Sequence, residues 1–345
     1  MLETSFSYFQ TSDGARLRYT YWPSQKSIEH CRGTVVIFQG RGSFIEKFIS
    51  IACELTRQGF HVWAFDWRGQ GLSTRLLKDR RRGYINSYET YLSDFHDLFV
   101  DIIAPKSVGP LIILGQSMGS HLALRYLVKH PDSFNAAVLT APMLDLNTGG
   151  YSNRIARFFV RGMCRLGLGH LYVPGHHQYD PSCEPFEGNM LTHDRISFMA
   201  HRNFLKKNPN LLIGGVTFGW VNASFDSIAY LNQPEILGHI TCPVLTITAG
   251  NEVIVDNRHV PKYVSWLPKG DYLNYEGARH QLLSESSFYM QRFWKDFSEF
   301  LEKNKKTIIP LNSTKRRLVK PPQFTGMKRV YPTLPNDFNR LEPNR

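Results

Sequence analysis

One stretch near the middle of the chain constrains the fold more than any other, because an apolar run there meets a glycine-flanked serine. Residues 111–114 are apolar, Gly-Gln-Ser-Met-Gly follows at 115–119, and helical spacing of apolar residues continues to residue 129. A serine on a strained turn between a strand and a helix exposes its hydroxyl, and the turn has room only for small flanking residues. Gly115 and Gly119 supply that room. The stretch therefore predicts a nucleophilic Ser117 at the end of a strand.

The rest of the chain alternates short apolar runs with longer segments of helical spacing. Strands that alternate with helices pair in parallel through crossovers, and helices then cover both faces of the sheet. An Asp-Gly pair at 13–14 adds an antiparallel hairpin at the start. We therefore predict an α/β fold with a doubly wound, mostly parallel sheet. The predicted strands are 5–11, 16–22, 34–38, 61–65, 111–114, 136–140, 244–248 and 272–275.

The alternation breaks in one long segment, where Gly, His, Phe and Arg are crowded together. We interpret residues 147–231 as a helical cap that is inserted into a core made of 1–146 and 232–303. Inside the cap, four arginines recur at helical spacing with apolar residues between them. Such a helix fits an anionic lipid headgroup above an acyl chain, or a cap helix that packs by its apolar side. The arginines are Arg154, Arg157, Arg161 and Arg165.

The net charge of +12 is concentrated at one end of the chain. Residues 303–345 contain eleven Lys or Arg and two acids, so they hold nine of the twelve net positive charges. The stretch 304–345 is also rich in Pro and has no apolar periodicity, which is typical of a flexible basic tail. Contact with an anionic membrane is the alternative role of this tail. Nucleic-acid binding is not expected, because the rest of the chain lacks a base-reading motif.

Cysteine usage and the amino-terminal residues favour a cytoplasmic protein. The five cysteines are widely spaced and form no Cys-x-x-Cys pair, so they predict neither a disulfide framework nor a zinc site. Residues 1–10 lack the features of a secretory signal. Peripheral contact with the inner face of the membrane is compatible with this location. We expect no metal and no cofactor.

A serine hydroxyl is a poor nucleophile at neutral pH and needs a base that accepts its proton. When the serine lies on such a turn, the order along the chain is Ser, acid, His, with the base on a loop after the last strand. His280 lies between the predicted strand 272–275 and the predicted helix 285–303, which makes it the predicted base. His121 lies within the helix that follows Ser117, so we interpret it as structural.

Two carboxylates follow the strand 244–248, where the acid that orients the base is expected. Glu252 lies three residues beyond Ala249, close to the strand end. Asp256 lies nearer the next helix, where an aspartate is commonly a cap. Glu252 is therefore the preferred acid, and Asp256 is the alternative.

Negative charge that develops on a substrate carbonyl must be stabilised by two fixed N–H donors. Met118, directly after the nucleophile, is expected to supply one of them. The loop Gln-Gly-Arg-Gly at 39–42 follows the strand 34–38, and we predict that the Arg41 N–H is the other.

With these residues placed, the chain resembles the monoglyceride-lipase-like branch of the α/β-hydrolases, and especially its bacterial lysophospholipases, from about residue 5 to 301. Gln116 and Ser120 depart from the family pattern on either side of the nucleophile. The segments that carry the resemblance are Asp-Trp-Arg-Gly-Gln-Gly-Leu-Ser at 66–73, Arg-Leu-Leu at 75–77, Arg-Gly-Tyr-Ile-Asn at 82–86, Gly-Gln-Ser-Met-Gly at 115–119, Thr-Ala-Pro-Met at 140–143, Leu-Thr-His-Asp-Arg at 191–195, Gly-Gly-Val-Thr-Phe-Gly-Trp at 214–220 and Gly-Ala-Arg-His at 277–280.

The resemblance implies an α/β-hydrolase fold, and it places the family's acid on Glu252 and its second oxyanion donor on Arg41. It also implies hydrolysis of the carboxylic ester of a single-chain lipid, a lysophospholipid or a monoacylglycerol, through an acyl-enzyme on Ser117. Two alternatives stay open, because one fold hosts many functions. The first is a hydrolase of a small non-lipid ester or a peptide, and the second is a non-catalytic binding module on the same scaffold.

Overall fold

A central sheet of eight strands organises the protein, as the computed structural model shows for residues 3–150, 152–177 and 180–308, the part of the chain that it describes. The strands are β1 (Ser7–Gln10), β2 (Arg16–Trp22), β3 (Gly33–Phe38), β4 (Phe60–Phe65), β5 (Leu111–Gln116), β6 (Ala136–Thr140), β7 (Val244–Ala249) and β8 (Gly270–Tyr275). Their order across the sheet is β1-β2-β4-β3-β5-β6-β7-β8. β2 pairs antiparallel with β1 and β4, and all other neighbours are parallel. The predicted doubly wound, mostly parallel sheet is confirmed.

Helices connect the parallel strands and cover both faces of the sheet. They are α1 (Ile49–Arg57), α2 (Tyr88–Leu98), α3 (Ala104–Lys106), α4 (Met118–Lys129), α5 (Asn153–Arg165), α6 (Arg195–Lys207), α7 (Phe218–Leu231), α8 (Pro234–Leu237), α9 (Val260–Ser265) and α10 (Ser287–Lys303).

Side chains of the parallel strands point alternately into two apolar cores, one on each face of the sheet. On β3, Val36 packs in the core that contains Phe95 of α2, whereas Val35 packs in the core that contains Phe297 of α10. β3 is buried along its whole length because helices cover both of its sides. This two-sided burial explains why residues 34–38 form a continuous apolar run instead of an alternating one.

Two predicted helices begin differently in the structure. The predicted helix after β3 starts as a 3-10 turn over Ile45–Phe48, and α1 follows it. The Ile45 N–H donates to the Asp66 carboxylate at 3.0 Å, which holds the chain in this tighter turn. The last helix begins at Ser287 and not at residue 285, because the Glu285 carboxylate is buried and accepts hydrogen bonds from neighbouring loops.

Helices α5, α6 and α7 lie between β6 and β7, within the segment interpreted as a cap. Residues from each of them line the same cavity as Ser117 and His280, for example Phe159, Leu205 and Phe218. The boundaries 147 and 231 stay a prediction. Most of the predicted basic tail, residues 309–345, lies outside the described residues. In the described ranges, no helix is both long enough and apolar enough to span a bilayer.

Candidate active site

Ser117 lies on a strained turn between β5 and α4. Its backbone has φ 55° and ψ −118°, in a region that non-glycine residues rarely adopt. A β-carbon at Gly119 would lie 1.9 Å from the Phe38 carbonyl oxygen, and one at Gly115 would lie 2.8 Å from the Ser120 Cα. Both glycines are therefore required by close backbone approach, which is the physical basis of the Gly-x-Ser-x-Gly pattern.

The Ser117 hydroxyl faces the imidazole of His280, and that imidazole faces Glu252. His280 Nε2 lies 3.0 Å from Ser117 Oγ, and His280 Nδ1 lies 2.7 Å from Glu252 Oε2. A proton on Nδ1 satisfies the carboxylate and leaves the Nε2 lone pair to accept from the serine hydroxyl. All three side chains are almost completely buried. This arrangement can remove a proton from the serine as it attacks an electrophile.

The loop after β7 fixes the orientation of the Glu252 carboxylate. Glu252 Oε1 accepts from the Ile254 N–H at 2.8 Å and from the Val255 N–H at 3.3 Å, so only Oε2 is turned toward the imidazole. The loop thus presents Oε2 to the base in one fixed geometry.

Asp256, the alternative acid, has a different partner. Its carboxylate accepts from the Arg258 Nε at 2.9 Å and from the Arg258 N–H at 3.0 Å, and this arginine lowers the pKa of Asp256. Asp256 also does not cap α9, which begins at Val260 and has no side-chain cap, so the helix-cap interpretation is wrong. Of the two candidate acids, the structure brings Glu252 to His280.

His121 lies within α4 and makes its hydrogen bond away from Ser117. Its Nε2 lies 2.6 Å from the Ser227 Oγ of α7, and its ring packs edge-on against Tyr88 of α2. Burial, followed by the nearby positive charge of Arg125, lowers the pKa of His121 to about 3. At neutral pH this imidazole is therefore uncharged.

The loop 39–42 approaches Ser117 closely, as the prediction of an oxyanion donor requires. A β-carbon built on Gly40 would lie 3.2 Å from the Ser117 Cβ, so the peptide between Gly40 and Arg41 adjoins the nucleophile. Met118 provides the first N–H of α4, at the end of the helix where the dipole is positive. The two predicted donors thus lie on segments that both adjoin Ser117.

The Arg41 side chain attaches this loop to the segment before α7. Its Nη2 donates to the carbonyl oxygens of Gly214 and Gly215 at 2.8 and 2.6 Å, and its guanidinium lies 5.2 Å from the Trp220 ring centroid. These contacts explain part of the 214–220 segment that carries the family resemblance. The Arg41 side chain thus holds the loop in place, while its backbone N–H stays the predicted oxyanion donor.

A buried ion pair that the sequence analysis did not assign supports the other side of the same loop. Asp66 is fully buried, and its carboxylate accepts from the Arg18 Nε at 2.7 Å and from the N–H groups of Ile45 and Leu72. Arg18 is also bonded to the Glu46 carboxylate at 2.7 Å. Asp66 therefore fixes the turn that follows the predicted oxyanion loop. The sequence feature that could have identified Asp66 is its place in the 66–73 segment, which carries the family resemblance.

A second unassigned carboxylate supports the loop that carries His280. Glu285 accepts from the Arg279 N–H at 2.9 Å and from the His193 N–H at 3.0 Å, and its carboxylate also lies 2.8 Å from the His193 Nδ1. The Gln281 N–H donates to the Leu191 carbonyl at 2.8 Å. The 191–195 segment therefore supports the loop that carries the base. The sequence alone assigned this segment no role.

A cavity of about 1240 Å³ opens beside Ser117 and His280. This volume exceeds the roughly 300–1,000 Å³ of ordinary small-molecule sites. Apolar side chains from the cap helices and the loops between them form much of its wall, and they can surround an extended acyl chain. They include Phe159, Leu205, Leu211, Ile213, Phe218 and Phe225.

Sequence comparisons with known proteins give matches over most of the chain. Residues 29–287 match the Hydrolase_4 family model, described as serine aminopeptidase, S33. The chain is 30% identical over 272 residues to lysophospholipase L2 of Escherichia coli (strain K12), covering 74% of this chain and 76% of that protein. It is 24% identical over 320 residues to monoglyceride lipase of Saccharomyces cerevisiae, covering 87% of this chain and 94% of that protein.

Solved structures with the same fold cover most of the chain. A soluble variant of the Saccharomyces cerevisiae monoglyceride lipase, in complex with a substrate analog, superimposes with a TM-score of 0.68 at 21% identity, covering 88% of this chain and 95% of that one. A carboxyl esterase from Bacillus coagulans, in complex with glycerol, gives a TM-score of 0.67 at 16% identity, covering 90% of this chain and 100% of that one. These likenesses confirm the predicted α/β-hydrolase fold.

Proposed function

Because the chain belongs to the Hydrolase_4 family of serine hydrolases, we propose that it cleaves the carboxylic ester of a single-chain lipid, a lysophospholipid or a monoacylglycerol. The observation that carries the proposal is the 3.0 Å contact between Ser117 Oγ and His280 Nε2 at the wall of a large, mainly apolar cavity. Relatives named lysophospholipase and monoglyceride lipase support this substrate class.

In the proposed reaction, His280 accepts the Ser117 proton as Oγ attacks the ester carbonyl. The N–H groups of Met118 and Arg41 stabilise the oxyanion, and each such donor contributes about 3 kcal/mol to lowering the barrier. His280 then returns the proton to the leaving alcohol, and the acyl group stays on Ser117. Water, activated by the same imidazole, releases the fatty acid. Glu252 stabilises the imidazolium in both halves of the cycle.

Ser117→Ala tests the proposal directly. We expect turnover of a monoacyl ester to fall by about 10⁵-fold or more, because the acyl-enzyme can no longer form. Ser265→Ala, which removes an exposed hydroxyl outside the cavity, is the matched control, and thermal unfolding checks the fold of both variants. Unchanged turnover in Ser117→Ala would contradict the mechanism.

The same assay separates the alternatives. A wild-type protein that hydrolyses an aminoacyl anilide faster than a lysophospholipid or a monoacylglycerol would favour a peptidase. Failure of a fluorophosphonate to label Ser117 would favour a binding module. We expect labelling at Ser117 and preference for the lipid esters.

We also propose that α5 contacts an anionic membrane surface beside the cavity. Ile155, Phe158 and Leu166 are 66%, 82% and 74% exposed, and Ile155 also lines the cavity. Arg154 and Arg165 on the same helix are exposed cations. An amphipathic helix with apolar and basic residues suits the boundary between headgroups and acyl chains, and it would bring the cavity to the lipid. Vesicle binding by α5 variants tests this contact.

A further inference from the structure

One wall of the cavity carries positive charge, in contrast to the apolar wall formed by α5 and α7. Lys47 of the 3-10 turn after the 39–42 loop and His201 and Arg202 of α6 all line the cavity. Lys47 and Arg202 influence each other electrostatically. The cationic wall, as we call Lys47, His201 and Arg202, thus joins the core to the cap close to the predicted oxyanion loop.

The Lys47 ammonium has no hydrogen bond or ion pair with any residue in the described part of the chain. Burial, followed by the positive charge of Arg202, lowers the pKa of Lys47 to about 7. Lys47 is partly buried and lines the cavity. An unpaired cation at such a site is costly because it is poorly solvated, and such groups normally pair with an anion or lose their charge. The cost is relieved when an anion enters the cavity and pairs with this lysine.

The neighbours of Lys47 also favour an anion at this wall of the cavity. Arg202 is almost completely buried and is bonded to the Glu184 carboxylate, so one acid already balances one of the two cations. His201 packs its ring on Phe44 at 5.3 Å, and its buried Nε2 has no hydrogen-bond partner. Because that nitrogen is closed off from solvent, Lys47 is the cation that the wall offers to a ligand. A phosphate oxygen can accept from its ammonium group.

We propose that the cationic wall is a phosphate subsite, which selects single-chain lipids that carry a phosphodiester over uncharged monoacylglycerols. This inference rests on the proposed ester hydrolysis, and it decides between the two substrates that the function leaves open. The acyl chain would lie along the apolar wall, with the scissile ester at Ser117 and the headgroup phosphate at Lys47.

Lys47→Met tests the subsite, because it keeps the length of the side chain and removes the charge. We expect the ratio of kcat/KM for a lysophosphatidylglycerol over that for a monoacylglycerol of equal chain length to fall at least tenfold, since hydrogen bonds to charged groups contribute substantially to binding. Lys47→Arg should keep most of the preference. Lys106→Met, an exposed lysine outside the cavity, is the matched control and should leave the ratio unchanged.

A binding measurement separates failure of the subsite from failure of the proposed function. Below its micelle concentration, dodecyl phosphate should bind the wild type at least tenfold more tightly than dodecanol does, and Lys47→Met should abolish the difference. An unchanged preference in Lys47→Met would overturn the subsite while ester hydrolysis persists. Equally tight binding of dodecanoate would also overturn it, because the ligand would then be the product carboxylate. A wild type that hydrolyses neither ester would overturn the function itself.

Discussion

The two oxygens of Glu252 have different tasks, and this division makes the residue testable. Oε2 faces His280 at 2.7 Å, while Oε1 is held by backbone N–H groups of its own loop. Glu252→Gln preserves the volume but removes the charge that stabilises the imidazolium. We expect kcat/KM for a monoacyl ester to fall by about 10³- to 10⁴-fold, with thermal unfolding little changed.

Asp256→Asn is the matched control, since it neutralises the other candidate carboxylate on the same loop. Its oxygens are bonded to the exposed Arg258, so we expect kcat/KM to stay within about threefold of the wild type. A larger loss for Asp256→Asn than for Glu252→Gln would reassign the acid.

Residues at the ends of parallel strands were the most predictable from sequence. Ser117, Glu252 and His280 each follow a strand, and the carboxyl ends of parallel strands lie at one edge of the sheet. The loops after β7 and β8 then bring Glu252 and His280 to Ser117. The supporting carboxylates Asp66 and Glu285 could not be assigned in this way. Their partners lie on loops whose packing has no periodic signal in the sequence.

At the scale of elements, the apolar side of α5 is more exposed than a packed helix would leave it. The helix is close to α7, where Phe159 meets Phe218 edge-on at 5.8 Å. Asp226 of α7 pairs with Arg157 and Arg161 at 2.9 and 2.5 Å, which turns those two arginines toward the protein. Helical spacing predicted the helix itself. The sequence could not predict which side of α5 faces solvent. Asp226, the partner of Arg157 and Arg161, lies more than sixty residues away from both in the sequence.

Phe158→Asp tests membrane contact by this helix. Phe158 is 82% exposed, and moving such a ring out of water typically contributes about 1.5–3 kcal/mol. We expect Phe158→Asp to reduce binding to anionic phosphatidylglycerol vesicles about tenfold or more in a sedimentation assay.

Phe288→Asp is the matched control for this experiment, because it introduces the same change at a 68% exposed phenylalanine on α10, outside the cavity. We expect it to bind vesicles like the wild type. An equal loss of vesicle binding in the two variants would show that the added negative charge, and not contact by α5, determines the binding.

For the whole molecule, His121 is placed to make stability depend on pH, because it lies where α2, α4 and α7 meet. Burial keeps its folded pKa at about 3, whereas an unfolded histidine titrates near about 6.5. Between these two values the unfolded chain binds the additional proton, so the free energy of unfolding falls as the pH decreases. This one residue should make the free energy of unfolding about 2 kcal/mol lower at pH 5 than at pH 7.5.

His121→Gln isolates this effect, since its amide can still bond to the Ser227 hydroxyl but cannot titrate in this range. Urea unfolding followed by tryptophan fluorescence at pH 7.5 and pH 5 gives the loss of stability for each protein. All other groups titrate in both proteins, so the difference between the two losses reports on residue 121 alone. We expect the wild type to lose about 2 kcal/mol more than the variant. Equal losses would mean that the imidazole gains its proton without unfolding, and that core and cap can separate around it.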